Sequence, residues 1–317
     1  MTCTVAAALA CVLPVAAQAQ AWPTKTIRLV VPFSPGGAND LMARAAAEGA
    51  SKALGRQIIV ENKPGAGTTL GADYVAKAEP DGYTFLVSAA GVISNSMIKK
   101  SMPYKDEQLV PVAMIGLAPS VIVVPASSPY KTLKEFIDAS RKSSAGFHWS
   151  TAGTGSTPHF VEGLLETKYG AKLDLVPYKS GSESIAAVMG AQVEATSEAS
   201  IVVLPYLTSG KLRALADTWT QRISAYPDLR TAAEQGYPEI KIAHWAGVHA
   251  PKGVPPAILD KMAAAVDTAM KDPVTMARLK GMGIEPIGGT RASFAKFCDE
   301  ERARLGGVVK ATGMKED

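Results

Sequence analysis

The segment from Trp22 to Asp40 joins a strand, a glycine-containing loop and a helix in a short stretch of chain. The apolar run Ile27 to Val31 predicts a strand, Ser34-Pro35-Gly36-Gly37 predicts a tight loop, and a helix-forming pattern follows. A helix that begins at such a loop leaves backbone N–H groups without partners, and its N-terminus carries a partial positive charge. The segment is therefore typical of a βα unit that holds a carboxylate or phosphate without Arg or Lys.

A second segment with the same layout lies in the middle of the chain. A short predicted strand at 148–150 is followed by the polar loop Thr151 to His159 and by a predicted helix at 160–169. Two such loops, one in each half of the chain, suit a cleft that holds one acidic ligand from both sides. The alternative is a turn whose Ser and Thr residues only cap the helix. His159 fits either role, as a neutral imidazole that donates to a ligand or as a structural cap.

Strand-like and helical patterns alternate along the whole chain and predict an α/β fold. Strands are predicted at 27–32, 57–61, 84–88, 110–116, 120–125, 148–150, 173–177, 193–197, 212–216 and 284–287, and helices at 39–54, 69–78, 133–142, 160–169, 183–189, 202–209, 257–271, 273–282 and 293–309. Pro- and Gly-rich stretches at 125–129 and 245–256 predict two crossings between lobes, as a hinge-bending clamp needs. We therefore expect lobe 1 to comprise residues 22–124 and 245–317, and lobe 2 residues 125–244.

Residues 1–21 have the pattern of a secretory signal peptide. They contain no charged residue, hold a short apolar centre, and end in two overlapping small-residue sites, Ala17-Gln18-Ala19 and Ala19-Gln20-Ala21. The apolar part is too short to span a bilayer as a stable helix. We therefore expect an exported protein whose signal peptide is cleaved after Ala19 or Ala21.

The ionisable and cysteine residues argue against several classes of function. The 33 Lys and Arg residues against 29 Asp and Glu give a net charge of +4, spread along the chain and not gathered in the basic stripe of a nucleic-acid-binding protein. Cys3 and Cys11 fall in the predicted signal peptide, so Cys298 alone forms no internal disulfide or Cys metal cluster. The sequence has no Gly-x-Ser-x-Gly motif and no complete dinucleotide fingerprint. We predict no nucleic-acid partner, cofactor, metal or enzymatic activity.

Six short motifs are distributed over the chain: IRLVVPFSPGG at 27–37, VENKPGAG at 60–67, PDGYT at 80–84, VPYK at 176–179, GKLRALA at 210–216 and APKGVP at 250–255. With them the sequence closely resembles the Bug-type (TctC-like) periplasmic substrate-binding proteins of tripartite tricarboxylate transporters. The resemblance runs from Trp22 to nearly the C-terminus.

The resemblance implies a two-lobed, type II periplasmic-binding-protein-like fold with two hinge crossings and a ligand cleft between the lobes. It implies a periplasmic solute receptor without a cofactor, which binds a small carboxylate, either a di- or tricarboxylate or an aromatic acid. Such a receptor delivers its ligand to the membrane permease subunits of a tripartite transporter, and we expect a monomer. Two alternatives remain open: an effector-sensing protein that acts on a signalling partner, and an enzyme on the same bilobal scaffold.

In this family a ligand carboxylate is held by backbone amides and bridging waters at the two loops described above. The resemblance therefore implies that Phe33 to Asp40 and Thr151 to His159 line the cleft. The candidate ligand-binding residues are Phe33, Ser34, Pro35, Gly36, Gly37, Ala38, Asn39, Asp40, Ser88, Ala89, Thr151, Thr154, Gly155, Ser156, Thr157, His159, Tyr178, Ser197, Glu198 and Trp245.

Residues 191–200 depart from the pattern of the family, which has a Gly-x-x-Asp run followed by Phe and by Asp or Asn. Glu198 lies in this stretch. If Glu198 faces the cleft, it repels a second ligand carboxylate or accepts a hydrogen bond from a ligand ammonium or hydroxyl; otherwise it is a solvated charge at a helix N-terminus. Trp245 similarly either stacks on an aromatic acid or packs at the hinge.

Overall fold

The computed structural model describes residues 22–178 and 180–315. The predicted signal peptide lies outside the described residues. Within them, no helix is both long enough and apolar enough to cross a membrane.

Strands and helices alternate through the described chain. The strands are β1 Ile27–Val31, β2 Ile58–Asn62, β3 Thr84–Ser88, β4 Leu109–Pro125, β5 Phe147–Thr151, β6 Leu173–Pro177, β7 Ala195–Ala199, β8 Leu212–Asp217, β9 Ala243–Pro251 and β10 Glu285–Pro286. The helices are α1 Ala38–Leu54, α2 Thr69–Ala76, α3 Ala90–Ile98, α4 Leu133–Lys142, α5 Thr157–Tyr169, α6 Gly181–Met189, α7 Ser200–Thr208, α8 Pro256–Lys271, α9 Pro273–Gly281 and α10 Arg291–Thr312. Short 3-10 turns lie at Ala66–Thr68, Asp106–Gln108 and Ala233–Gln235. The predicted α/β alternation is confirmed.

The long strand β4 joins the sheets of the two lobes. The strand order is β2-β1-β3-β9-β4-β7-β5-β6, and β8 and β10 also pair with β4. In lobe 1, β1 is parallel to β2 and β3; in lobe 2, β5 is parallel to β6 and β7. From Leu109 to Pro119, β4 pairs with β9, and from Ser120 to Pro125 it pairs with β7 or β8. Because β4 has buried residues along nearly its whole length, its apolar sequence suits a strand covered on both faces.

The sequence prediction differs from the structure at three elements. No strand was predicted at 245–256, the second predicted crossing, yet residues 243–251 form strand β9 and pair with β4 in spite of their Gly and Pro content. Helix α3 was not predicted, because its sequence AGVISNSMI is rich in Gly, Ser and Asn and carries no clear helical period. The predicted strands at 110–116 and 120–125 are one continuous strand.

The partner exchange along β4 lies at Pro119 and Ser120, and β9 begins at Ala243. The predicted lobe boundaries, at 124/125 and 244/245, lie within a few residues of these points and remain a prediction. The last helix contacts both lobes: Phe294 of α10 packs in one cluster with Trp245, while α10 residues after Leu305 join the core around α4 and α5.

Gly247 allows the close approach of α10 to the central sheet. It lies on β9 between β3 and β4, and a Cβ atom at this position would overlap the fully buried ring of Phe294. We expect Gly247→Ala to lower the free energy of unfolding by about 1 to 3 kcal/mol through overpacking. Urea denaturation of the purified protein measures this change.

Gly307 of α10 provides the matched control, because a Cβ atom there meets no neighbour within 4 Å. Gly307→Ala should raise stability by up to about 1 kcal/mol, the helix-propensity difference between the two residues. Equal effects of the two substitutions would contradict the assignment of the Gly247 contact.

Candidate functional site

A cavity of about 650 Å³ lies between the lobes, at the carboxyl ends of the parallel strands. Its wall contains residues 32–35 and 37–39 after β1, 64–68 after β2, 89–91 after β3 and 152–158 after β5. It also contains Pro177 at the end of β6 with residues 178 and 180–182 after it, Glu198 near the end of β7 with Val202 after it, and His244 and Trp245 of β9. The loops that follow parallel strands are the usual ligand-binding position in open α/β sheets. The cavity is large enough for a small metabolite with bound water.

Five helices begin in the cavity wall. Their N-cap residues are Gly37 for α1, Thr68 for α2, Ala89 for α3, Ser156 for α5 and Ser180 for α6. No side chain caps α1, α3 or α5, whereas the Ser180 hydroxyl accepts a hydrogen bond from Glu183 N–H. The first N–H groups of a helix have no intrahelical acceptor and carry the positive end of the helix dipole. The wall therefore presents several donors suited to an anion.

The described part of this wall contains no Arg or Lys side chain. Its acidic and basic groups are Glu198 and His244. Burial lowers the pKa of His244 to about 4, so the imidazole is neutral at pH 7. An anion in this cavity would thus depend on backbone N–H groups and polar side chains.

Three backbone N–H groups of the two candidate loops have acceptors within the protein. Gly36 N–H donates to Asp40 Oδ2 at 2.9 Å, Gly155 N–H to His159 Nδ1 at 3.3 Å, and Ser156 N–H to Gly153 O at 3.2 Å. These bonds shape the two loops, and the N–H groups in the first turns of α1 and α5 lie further along. Ligand binding by the two loops remains a prediction.

Most of the predicted site residues lie in the cavity wall. These are Phe33, Ser34, Pro35, Gly37, Ala38, Asn39, Ala89, Thr154, Gly155, Ser156, Thr157, Tyr178, Glu198 and Trp245. The wall does not include the other six, which are Gly36, Asp40, Ser88, Thr151, His159 and Ser197.

Two of the residues outside the wall, Asp40 and Thr151, make hydrogen bonds that fix the loops of the wall. Asp40 is 1% exposed and accepts hydrogen bonds from Gly36, Arg44 and Asn62. Although burial alone would raise the pKa of Asp40, these hydrogen bonds hold it below its ordinary value. The Thr151 hydroxyl accepts from Gly153 N–H, and so fixes the second loop.

His159 also has a structural role in this loop. Burial lowers the pKa of His159 to about 4, and its neutral ring accepts the N–H of Gly155. Of the two roles considered for His159, this geometry favours the cap. Ser197 is fully buried on the β7 face that lies opposite Glu198, because successive strand residues point to opposite faces.

Several parts of the wall were not among the candidate ligand-binding residues. Residues 64–68 were noted as part of a family motif and of an incomplete dinucleotide motif, although their Pro and Gly content and position after a strand matched the first loop. Residues 180–182 carried a similar signal. His244 and residues 90–91 gave none, because their place in the wall depends on the pairing of β9 and on the unpredicted helix α3.

Asn95 of α3 holds the loop at 64–68 in place. Its side-chain amide donates to Gly67 O at 2.8 Å and to Thr68 Oγ1 at 3.2 Å. Ala66 and Thr68 have positive φ values of 48° and 79°, which non-glycine residues seldom adopt. Such backbone strain persists when surrounding contacts fix it, and it is common at ligand sites.

Trp245 borders the cavity and has the packing role that the sequence left open. The residue borders the cavity, yet its side chain packs edge-on against Phe294 and Phe297, and its indole N–H donates to Glu301 Oε2 at 3.1 Å. Its backbone carbonyl accepts from the Asn39 side chain at 2.8 Å. Since the residue is 2% exposed, packing accounts for most of its surface.

Glu198 lies in the wall with 5% exposure, and its Oε2 is 3.9 Å from His244 Nε2. Burial raises the pKa of Glu198 to about 7, against the smaller opposite effect of a hydrogen bond from Ala199 N–H. Because His244 is neutral at pH 7, this contact is not an ion pair there. Glu198 thus borders the cleft and is not a solvated charge at a helix N-terminus, the other position considered for it.

Known proteins resemble this chain over nearly its full length. The family model described as "Tripartite tricarboxylate transporter family receptor" matches residues 42–314. Protein BugT of Bordetella pertussis is 33% identical over 300 residues, which cover 94% of this chain and 92% of BugT.

Solved structures agree with this assignment. A Rhodopseudomonas palustris protein determined with adipate has a TM-score of 0.88 and 30% identity, covering 93% of this chain and 99% of that one. The malate-bound protein MatC of the same organism has a TM-score of 0.82 and 30% identity, covering 91% of this chain and 100% of MatC. The predicted two-lobed periplasmic-binding-protein fold is thus confirmed. The chain belongs to the receptor family of the tripartite tricarboxylate transporters, as a Bug-type protein.

Proposed function

We propose that this protein is a periplasmic solute receptor that binds a small carboxylate and delivers it to a tripartite transporter permease. The observation that carries the proposal is the convergence of the α1, α3 and α5 N-termini, none capped by a side chain, on one cavity between the lobes. Such donors recognise a carboxylate without basic side chains. Two family members of known structure were determined with the dicarboxylates adipate and malate, which supports this ligand class.

Export, partner and oligomeric state are parts of the same proposal. The predicted signal peptide at 1–21 would bring the protein to the periplasm, where members of the family are found. A monomer that closes on its ligand would then present it to the permease. A sensor that acts on a signalling partner is the alternative, and transport by the reconstituted permease would distinguish them.

The buried pair Ser88 and His249 was the strongest candidate for enzyme chemistry. Their Oγ and Nδ1 atoms are 2.7 Å apart, a contact that the sequence did not reveal. However, Ser88 is fully buried, and its hydroxyl donates to Gly247 O at 3.1 Å. With that proton committed, the imidazole Nδ1 donates to Ser88, so it does not act as a base. We propose that the protein releases its ligand unchanged.

A thermal-shift screen tests the receptor proposal. Succinate, adipate, malate, citrate, benzoate and several amino acids should be compared, since a ligand at a hundred times its dissociation constant stabilises the folded state by about 2.7 kcal/mol. We expect at least one carboxylate to raise the melting temperature and to be recovered unaltered after incubation. Chemical conversion of a bound acid would contradict the receptor role.

Ligand should also close the two lobes. Gly155 of lobe 2 already faces α3 of lobe 1, because a Cβ atom there would be 3.1 Å from Ile98 Cδ1. We expect the ligand-free protein to populate a more open form and the ligand to shift it toward this compact one, which lowers the radius of gyration in solution scattering. Identical scattering with and without a saturating ligand would contradict this closure.

The backbone donor at position 38 can be removed without loss of the helix. Ala38 is the first residue of α1, where proline is well tolerated, and Gly37 before it has the extended backbone (φ −77°, ψ 167°) that proline requires. Ala38→Pro should weaken carboxylate binding by about tenfold or more, through loss of one hydrogen bond to a charged group. Calorimetric titration measures the effect.

Ala38→Gly is the matched control, because it keeps the N–H group while it removes the methyl group. We expect this variant to bind within about threefold of the parent protein. Circular dichroism should show that both variants are folded. Unchanged affinity of folded Ala38→Pro would show that this N–H does not hold the ligand.

A further inference from the structure

Glu198 is a buried acid in a cavity that otherwise suits an anion. It is the penultimate residue of strand β7, it lies beside Gly181 at the N-terminus of α6, and it is 5% exposed. Within the described residues its carboxylate accepts a hydrogen bond from Ala199 N–H at 3.3 Å. A buried carboxylate needs more hydrogen bonds or a counter-charge, so this group has unused capacity to accept.

The described groups around Glu198 do not supply that charge. On β9, His244 is the nearest ionisable side chain, and burial keeps it neutral at pH 7. On β4, the Ser120 hydroxyl lies 3.4 Å from His244 Nε2. In the first turn of α6 the charged residue is Glu183, which is exposed and acidic. No described side chain that faces Glu198 is a cation.

Gly181 gives the Glu198 carboxylate its place beside the cavity. A Cβ atom at position 181 would overlap both carboxylate oxygens of Glu198. Gly181 has no positive φ, so its backbone conformation does not require glycine. The glycine is therefore required for steric reasons: the absence of a side chain lets the Glu198 carboxylate lie against the first turn of α6, at the edge of the ligand cavity.

We propose that Glu198 and Gly181 form a subsite for the ammonium group of the ligand, so that this receptor selects amino acids over plain dicarboxylic acids. The inference rests on the proposed receptor function. The uncapped N-termini of α1, α3 and α5 hold the ligand carboxylate. Glu198 accepts from the ammonium group, which provides the counter-charge that the described wall lacks.

The charge of the ligand group beside Glu198 explains the selectivity. A second ligand carboxylate beside Glu198 requires that one of the two acids bind a proton, whereas an ammonium group satisfies Glu198 in its ionised form. Hydrogen bonds between charged groups in a partly dry site correspond to about ten- to hundredfold in affinity. The hydrogen bond to a single buried glutamate is thus strong enough to favour one ligand class over the other.

Pairs of acids that differ by one ammonium group test the proposal directly. Succinate and L-aspartate, glutarate and L-glutamate, and adipate and L-2-aminoadipate should be titrated by calorimetry at pH 7. In at least one pair we expect the amino acid to bind about tenfold more tightly or better. Tighter binding of the dicarboxylate in every pair that binds would overturn the subsite, while the receptor proposal would stand.

Glu198→Gln and Gly181→Ala test the residues. We expect Glu198→Gln to weaken binding of the preferred amino acid by about tenfold or more. Binding of the matching dicarboxylate should be unchanged or tighter. Gly181→Ala should shift the carboxylate and reduce the same preference. Glu194→Gln is the control, since Glu194 is partly exposed, contacts His148 and does not border the cavity.

Proton exchange on binding provides a second readout. Since the pKa of Glu198 is raised to about 7, both its protonated and its ionised forms are present in the free protein near pH 7. An ammonium ligand lowers that pKa, so protons are released on binding; a dicarboxylate raises it, so protons are taken up. Calorimetric titration in buffers of different ionisation enthalpy shows whether protons are released or taken up on binding.

The outcomes separate the two proposals. Proton release that disappears in Glu198→Gln supports the ammonium subsite, and proton uptake with any acid as the best ligand overturns it. If none of the six acids binds, and the wider thermal-shift screen also finds no carboxylate, both the subsite and the receptor function are wrong. Binding of carboxylates other than amino acids, unaffected by Glu198→Gln, refutes the subsite alone.

Discussion

The antiparallel pairing of β4 with β9 is the contact on which the rest of the structure depends. Because β4 continues from this pair into the sheet of lobe 2, one strand fixes the position of both parallel sheets. The carboxyl ends of the strands then border the same cavity, and the loops after them bring helix N-termini into its wall. Trp245 on β9 completes the arrangement: its carbonyl is bound by Asn39 of α1 and its indole by Glu301 of α10.

Most of the fold could be predicted from the sequence because its signals are local. A loop rich in glycine between an apolar run and a helical pattern identified residues 33–40 and 151–159 as strand-end loops, and both border the cavity. The signals failed where long-range contacts override local preference. Strand β9 contains Gly247 and Pro251, and its sequence predicted a crossing between lobes but no strand; pairing with β3 and β4 makes it a central strand. Helix α3 likewise forms in spite of weak propensity, with buried residues such as Ile93.

The site was less predictable than the fold because its chemistry depends on which backbone groups remain unpaired. Glycine at position 36 correctly indicated a tight turn, but only the structure shows that its N–H is taken by Asp40. The same holds for Ser88, whose contact with His249 joins residues 161 positions apart. Glu198 was recognisable in the sequence as a departure from the family pattern. The direction of its side chain, and the absence of a cation beside it among the described residues, follow from how β7, β9 and α6 pack together.

A binding site built from helix N-termini has a consequence for selectivity. Backbone N–H groups attract an anion without a buried cation, so the empty cavity avoids the desolvation cost that Arg or Lys would bring. Such donors, however, distinguish poorly between one carboxylate and another, because every acid presents the same group to them. A charged side chain elsewhere in the wall must then distinguish ligands by their other functional groups. In the described wall Glu198 is the acid in that position, and the small residue Gly181 beside it leaves its oxygens free to reach the ligand. Affinity and selectivity thus come from different parts of the wall, so a change at position 198 can alter the ligand while the carboxylate-binding loops stay the same.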